Sequence, residues 1–379
     1  MSDAAKLLVV AGEASGDRAG AAVVRALRED PRVSSLGFGG TALAHEGTRL
    51  VGHLRETTAV GLTAPLRSAR ELARVFRALV AAARDERPNV ALLVNYTELN
   101  MRLARELRPL GVRIVWYIAP QIWAWREGRA KTLRGLVDRL CVILPFEEDL
   151  WRAKGVDASY VGHPALETRG LPRDEARTVL SLTSRAKTVA ILPGSRPHEV
   201  RALLPAMLEA YEHVRHDRAS VDGRLLLAPS LDDTTRAFAL EAAKRIALEP
   251  LEVDATAGIG RILPAFDAAL VASGTASLEC AIAGVVPVVA YKVDLVTEAF
   301  ARLLLRTPHV ALPNVLLGRR AFDELVQRDV GPTSLAHALA RALDDDAQKE
   351  ACAEVVRMLG DRRSPSAEVA RIVRPYLFG

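Results

Sequence analysis

Two successive trains of short apolar runs, each run followed by a stretch of helical periodicity, constrain this chain more than any other feature. The first train has runs at Leu7–Ala11, Val33–Phe38, Val90–Val94, Ile114–Ile118, Leu140–Leu144 and Ala158–Val161. The second has them at Thr188–Leu192, Leu225–Ala228, Leu251–Val253, Ala268–Ala272 and Val285–Ala290. A short run that is apolar at successive positions reads as a strand buried on both faces, as in a parallel sheet covered by helices. Strands alternating with helices call for right-handed crossovers. The chain has 379 residues, too long for one ordinary α/β domain and comfortable for two. The expected fold is therefore α/β, with two doubly wound Rossmann-like domains facing a cleft. The expected divisions are 1–164, a linker at 165–187, a second domain at 188–345 and terminal helices at 346–379. Those helices are expected to cross back onto the first domain or to swap with a partner copy in a homodimer; the sequence leaves both open.

The formal net charge is +5, and most of the 51 basic residues are Arg. So small an excess over this length does not indicate nucleic-acid binding; it suits anionic small molecules or an anionic membrane face. Cys141, Cys280 and Cys352 are far apart and unpatterned, so they read as core residues and not as a disulfide framework or metal site. MSDAAK runs straight into the first strand without a signal peptide, and no segment approaches the roughly 20 apolar residues that span a bilayer. The expected location is cytoplasmic, or peripheral on the inner face of the cytoplasmic membrane. From Pro65 to Glu86 an amphipathic helix is expected, with Arg67, Arg70 and Arg74 in a basic stripe beside its apolar face. That stripe could meet anionic lipid; a helix packed on the sheet with solvated arginines would look the same.

Two loops carry the strongest chemical signal. Pro193-Gly194-Ser195-Arg196-Pro197 follows a buried strand and opens a helix. Small residues let the backbone approach a ligand, the helix N-terminus is electropositive, and Arg196 offers a planar fork for phosphate oxygens. Ser273-Gly274-Thr275-Ala276-Ser277-Leu278-Glu279 repeats the design, with Glu279 one turn into its helix and able to accept bonds from ribose hydroxyls. Neither loop matches the dinucleotide fingerprint or the lysine-bearing P-loop, which counts against an oxidoreductase and an ATPase. An ordinary strand-to-helix turn and a solvated glutamate remain open at this point. In the first half, Gly12-Glu13-Ala14-Ser15-Gly16-Asp17 offers Glu13 and Asp17 as hydroxyl binders or bases, though Asp17 could equally cap a helix. The segment Trp116–Arg126 holds three of the four tryptophans of an aromatic-poor chain. Trp123 and Trp125 could stack on sugar rings or line an acyl-accepting surface, or pack a loop.

These pieces together resemble the lipid-A-disaccharide synthase family. Similar to its motifs are Ala11–Asp17, Pro120–Arg126, Leu144–Glu147, Val161–Pro164, Leu192–Arg196, Ala272–Glu279 and Leu312–Leu316, in order over essentially the whole chain. The resemblance implies a GT-B fold, with an acceptor site in the N-terminal domain involving Gly12, Ser15, Trp123, Trp125 and Arg126. It implies a nucleotide-sugar site in the C-terminal one, involving Gly194, Ser195, Arg196, Ser273, Gly274, Thr275, Ala276, Glu279 and Asn314. Asn314 matches a family asparagine important for activity. The implied reaction joins UDP-2,3-diacylglucosamine to 2,3-diacylglucosamine 1-phosphate with inversion, giving lipid A disaccharide 1-phosphate and UDP, with no metal or other cofactor.

One departure matters. Where the family carries a strand-end Asp as its suspected base, Val94-Asn95-Tyr96-Thr97-Glu98-Leu99-Asn100 has Asn95. An amide cannot take a proton from the acceptor hydroxyl, and losing a general base costs on the order of 10²–10⁴-fold in rate. Glu98, Glu13 or Asp17 could serve instead. Otherwise the enzyme is slow and relies on orientation, or the chain is a relative with a changed acceptor or lost catalysis that binds UDP-sugar or lipid. Other GT-B members, such as a UDP-GlcNAc epimerase or a peptidoglycan glycosyltransferase, stay open as rivals.

Overall fold

A computed structural model describes residues 5–54, 64–124, 127–182, 186–218, 220–292, 307–361 and 364–378, with side chains in the helix Ala64–Glu86 described from Arg70 onward. The chain divides into two compact units, residues 1–167 with 362–379 and residues 168–361.

The first unit is built on a seven-stranded sheet. Its strands are β1 (Ala5–Ala11), β2 (Val33–Gly39), β3 (Arg49–His53), β4 (Val90–Val94), β5 (Arg113–Tyr117), β6 (Arg139–Val142) and β7 (Ala158–Tyr160). Their spatial order is β3-β2-β1-β4-β5-β6-β7, and every pair is parallel. All five residues of β4 are buried, as expected for a strand covered on both faces. Leu79, Val80 and Ala83 of helix Ala64–Glu86 and Leu99, Leu103 and Leu107 of helix Thr97–Leu107 pack one face of the sheet.

The second unit is built on a six-stranded sheet with strands β8 (Lys187–Leu192), β9 (Val221–Leu227), β10 (Pro250–Glu252), β11 (Ala268–Ala272), β12 (Val286–Tyr291) and β13 (Glu324–Val326), in the order β10-β9-β8-β11-β12-β13 and again parallel.

The stretch expected as a linker carries one short α-helix. Helix Arg173–Val179 is tied into the second unit through Arg177, whose guanidinium donates to the carbonyls of Ala265 and Ala186 at 3.2 Å and pairs with Asp267 at 3.3 Å. Burying that cation is tolerable because its donors are matched. The terminal helices part company. Asp346–Leu359 belongs to the second unit, whereas Pro365–Phe378 belongs to the first, burying Val369, Ala370, Val373 and Leu377. Arg374 bonds the Ala26 carbonyl at 2.9 Å, and the Ser366 hydroxyl donates to Glu167 at 2.6 Å.

Candidate functional site

In a doubly wound sheet, ligands bind outside the carboxyl ends of the strands where the strand order reverses. In the first unit that point lies between β1 and β4. The loops leaving it are Gly12-Glu13, opening helix Ala14–Leu27, and Asn95-Tyr96, opening helix Thr97–Leu107. In the second unit it lies between β8 and β11, and the loops are Pro193–Arg196 and Ser273-Gly274.

At the first point the fit is close. Asn95 and Tyr96 both have left-handed backbone, with φ of 51° and 43°. Such strain in non-glycine residues persists only where neighbours enforce it. The enforcer is Asn100, fully buried, whose amide donates to the Asn95 carbonyl at 2.8 Å. The turn brings Tyr96 against Gly12, where a Cβ would lie 2.0 Å from the tyrosine Cγ. It also brings the Asn95 amide within 3.4 Å of a Glu13 oxygen. Burial and the Glu13 charge both raise the Tyr96 pKa. Ser15 lies half-buried in the first turn of helix Ala14–Leu27.

The other two carboxylates at this end are differently employed. Asp17 is 3% exposed and accepts from the amides of Gly40 at 2.6 Å, Ala42 at 2.9 Å and Leu43 at 3.3 Å. It caps the neighbouring helix Thr41–His45, not its own, and both its oxygens are taken, which removes it as a base. Glu98 is 66% exposed and ion-paired with Arg129. That pairing holds Glu98 to the surface and to Arg129.

Trp123 donates its indole N–H to Glu147 at 3.0 Å and meets Phe146 edge-to-face at 5.7 Å between centroids. Glu147, 1% exposed, also accepts from the amides of Ile143 and Leu144 at 3.2 and 3.1 Å at the start of helix Pro145–Ala153. Burial pushes its pKa up to about 7. Trp125 and Arg126 lie outside the described residues, as does the Arg67 side chain. Arg70 and Arg74 are exposed, Arg74 pairing with Glu71 at 2.8 Å.

In the second unit, Gly194 has φ 117°, and a Cβ there would come within 2.5 Å of a Glu199 oxygen. Glu199 accepts from the amides of Ser195 and Arg196, each at 3.2 Å, and pairs with the Arg196 guanidinium at 3.2 Å. The loop's own carboxylate, at the capping-box position three residues past the cap, thus holds two of its amides. The second loop is more open. Gly274 has φ 153°, no atom lies within 4 Å of a Cβ placed there, and Gly274 and Thr275 are exposed at the head of helix Thr275–Ile282. Ala276 and Glu279 are half-buried on that helix. The Ser273 hydroxyl turns away, donating to the Val310 carbonyl at 2.8 Å.

Asn314 does not offer itself to a ligand. It is fully buried; its amide donates to the Phe322 carbonyl at 2.9 Å and Glu324 at 2.7 Å, and its oxygen accepts from Ala321 and Phe322 at 3.0 and 2.9 Å. With those bonds made within the protein, the expectation of nucleotide contact gives way to a structural role. Among the described residues no group of three or more His, Cys, Asp and Glu is placed to hold a metal.

The model of the family described as lipid-A-disaccharide synthetase matches residues 7–371. The chain belongs to that family. The lipid-A-disaccharide synthase of Myxococcus xanthus is 38% identical over 379 residues, covering 99% of this chain and 96% of that protein. That of Syntrophus aciditrophicus is 37% identical, covering 94% and 93%. Membership makes the chain a glycosyltransferase that forms the lipid A disaccharide. Solved structures of similar fold include a UDP-GlcNAc 2-epimerase of Neisseria meningitidis, TM-score 0.70 at 10% identity over 97% of this chain and 100% of that one. A spinosyn forosaminyltransferase has TM-score 0.63 at 13% identity, over 99% and 100%. With these neighbours the two Rossmann-like units make a GT-B fold.

Proposed function

We propose that this chain transfers 2,3-diacylglucosamine from its UDP derivative to the 6-hydroxyl of 2,3-diacylglucosamine 1-phosphate, with inversion. The acceptor binds in the first unit and UDP in the second. The observation that carries the reading is the coincidence, in each unit, of the small-residue loops with the reversal of strand order. The Neisseria structure named above holds UDP-GlcNAc, in keeping with a sugar-nucleotide site on this fold.

Glu13 is the base in this reading. Asp17 is consumed, Glu98 is solvated and paired, and Glu13 stands half-buried beside Asn95. The acceptor oxygen attacks the anomeric carbon as Glu13 takes its proton. Negative charge then grows on the departing diphosphate, and Arg196 with the amides heading helix Thr275–Ile282 stabilises it. No metal is needed for that step. The acylated substrates reside in a membrane, and Arg70 and Arg74 bring the protein to its anionic cytoplasmic face.

UDP release with acylated donor and acceptor tests this. Wild type turns over, and Glu13→Gln lowers kcat on the order of 10²–10⁴-fold while UDP binding is retained. Asn95 favours a second reading, a UDP-sugar- and lipid-binding relative without turnover. A silent wild type that gains activity on Asn95→Asp decides for it.

A further inference from the structure

The Ser273 loop is held from behind, and the residue that holds it is Glu324. This carboxylate lies at the start of the edge strand β13, 7% exposed. It accepts from the Val310 amide at 3.1 Å, the Ala311 amide at 3.0 Å and the Asn314 side chain at 2.7 Å. His309 Nδ1 faces it at 3.9 Å. The Val310 carbonyl, on the residue whose amide Glu324 grips, accepts the Ser273 hydroxyl at 2.8 Å. A chain of bonds therefore runs from Glu324 through Val310 to Ser273, the residue before the exposed Gly274 and Thr275.

Asn314 completes the frame. By donating to Glu324 and the Phe322 carbonyl and accepting from Ala321 and Phe322, it fixes the approach to β13 against the opening of helix Leu312–Leu317. Segment 307–311, which enters that helix, has no strand or helix of its own to fix it. Its position depends on these side-chain bonds.

We infer that Glu324 is a positioning residue for donor binding: with Asn314 it holds Val310 where the Ser273 hydroxyl finds its acceptor, and so sets the amides of the second phosphate loop. Carboxylate chemistry is required. Each oxygen accepts from backbone N–H, and one also accepts from an amide, so replacing an oxygen with NH₂ sets donor against donor. The inference rests on the proposed UDP site, and it gives Asn314 a part in that site without any contact with the nucleotide.

Calorimetry with UDP on the full-length chain tests it, with variants confirmed folded by circular dichroism. Glu324→Gln is expected to weaken UDP binding about ten-fold, and Ser273→Ala by less. Glu324→Asp keeps the charge, recovers part of the loss, and serves as the test should the Gln variant not fold. The decisive readout is coupling. If Glu324 works through Ser273, the double variant loses less than the two single losses combined; a residue that merely stabilises the fold gives additive losses. Folded Glu324→Gln or Glu324→Asp binding UDP as wild type does, or additive losses, overturns the inference while leaving the UDP site standing. No UDP binding by wild type overturns both.

Discussion

The first reversal point and the β11 loop of the second share a topological place and are furnished in opposite ways. At the first, side chains are wedged: Tyr96 fills the space over Gly12, Asn95 and Tyr96 carry left-handed backbone, and Asn100 beneath holds them. At the second, the loop after β11 leaves Gly274 and Thr275 exposed, with open space where a Cβ would stand on Gly274. In the proposed function the first site moves a proton and needs a carboxylate held at a fixed place, which crowding would supply. The second takes up a diphosphate and needs backbone N–H groups within reach, which open space would supply.

Exchanging glycine for alanine on each side should break the symmetry most sharply. In Gly12→Ala the new methyl would lie 2.0 Å from the Tyr96 ring, so the ring and the strained turn must move. The expected cost is about 3 kcal/mol or more in stability, with turnover lost and UDP affinity intact. In Gly274→Ala nothing is displaced, and only the backbone conformation at φ 153° is penalised, by about 1–3 kcal/mol. Its loss should appear in UDP binding. Chemical denaturation read beside UDP calorimetry distinguishes them; matched losses in both assays for both variants would reject the contrast.

A smaller effect sharpens the comparison through pH. In the first unit, burial raises Glu147 to about 7 and lowers His163 to about 4. In the second, hydrogen bonds and Arg173 hold Asp267 below the usual carboxylate range against its burial. For Glu147 the folded state keeps its proton longer than the unfolded one. Its stability contribution is whole below pH 4.5 and is lost as pH rises to about 7, at most about 3 kcal/mol. His163 acts in the opposite sense, stabilising as pH rises from about 4 to 6.5. The difference between wild type and Glu147→Gln therefore isolates the carboxyl group. Denaturation from pH 4.5 to 8 should show wild type losing ground to the variant until about pH 7 and holding level above it. A constant difference would place the Glu147 titration elsewhere.

Most of the strands were legible because burial on both faces writes itself as an unbroken apolar run. Val90–Val94 and Ala268–Ala272 match the observed strands residue for residue. The two strands that escaped, β3 and β13, are two of the four sheet edges; β3 has no buried residue and β13 only one. An edge strand leaves a weaker pattern because one side lacks a neighbour. At the sites, residue types were legible and partners were not. Asp17, Asn314 and Ser273 all carry the chemistry of ligand binders, yet each bonds residues 23 or more, 7 or more, and 37 positions away. Sequence spacing could not reveal that those valences were already filled. Ile118 shows the limit in the backbone: its apolar run predicts strand, and its φ of 65° ends it.

The weakest expected effect concerns the membrane, through the exposed Arg70 and Arg74 of the first unit. Arg70 and Arg74 are exposed on a helix whose opposite side, through Leu79 and Ala83, is buried in the core. That geometry leaves the arginines outward whatever they meet. Each basic residue near an anionic surface contributes about 1 kcal/mol, and the pairing of Arg74 with Glu71 at 2.8 Å takes a share of it. Replacing Arg70 and Arg74 together with Glu should reduce co-sedimentation with phosphatidylglycerol vesicles by roughly ten-fold at low salt. UDP affinity should be unchanged, since the substitutions lie in the first unit. Equal sedimentation of wild type and variant would make these arginines ordinary solvated residues and leave the membrane contact to another surface.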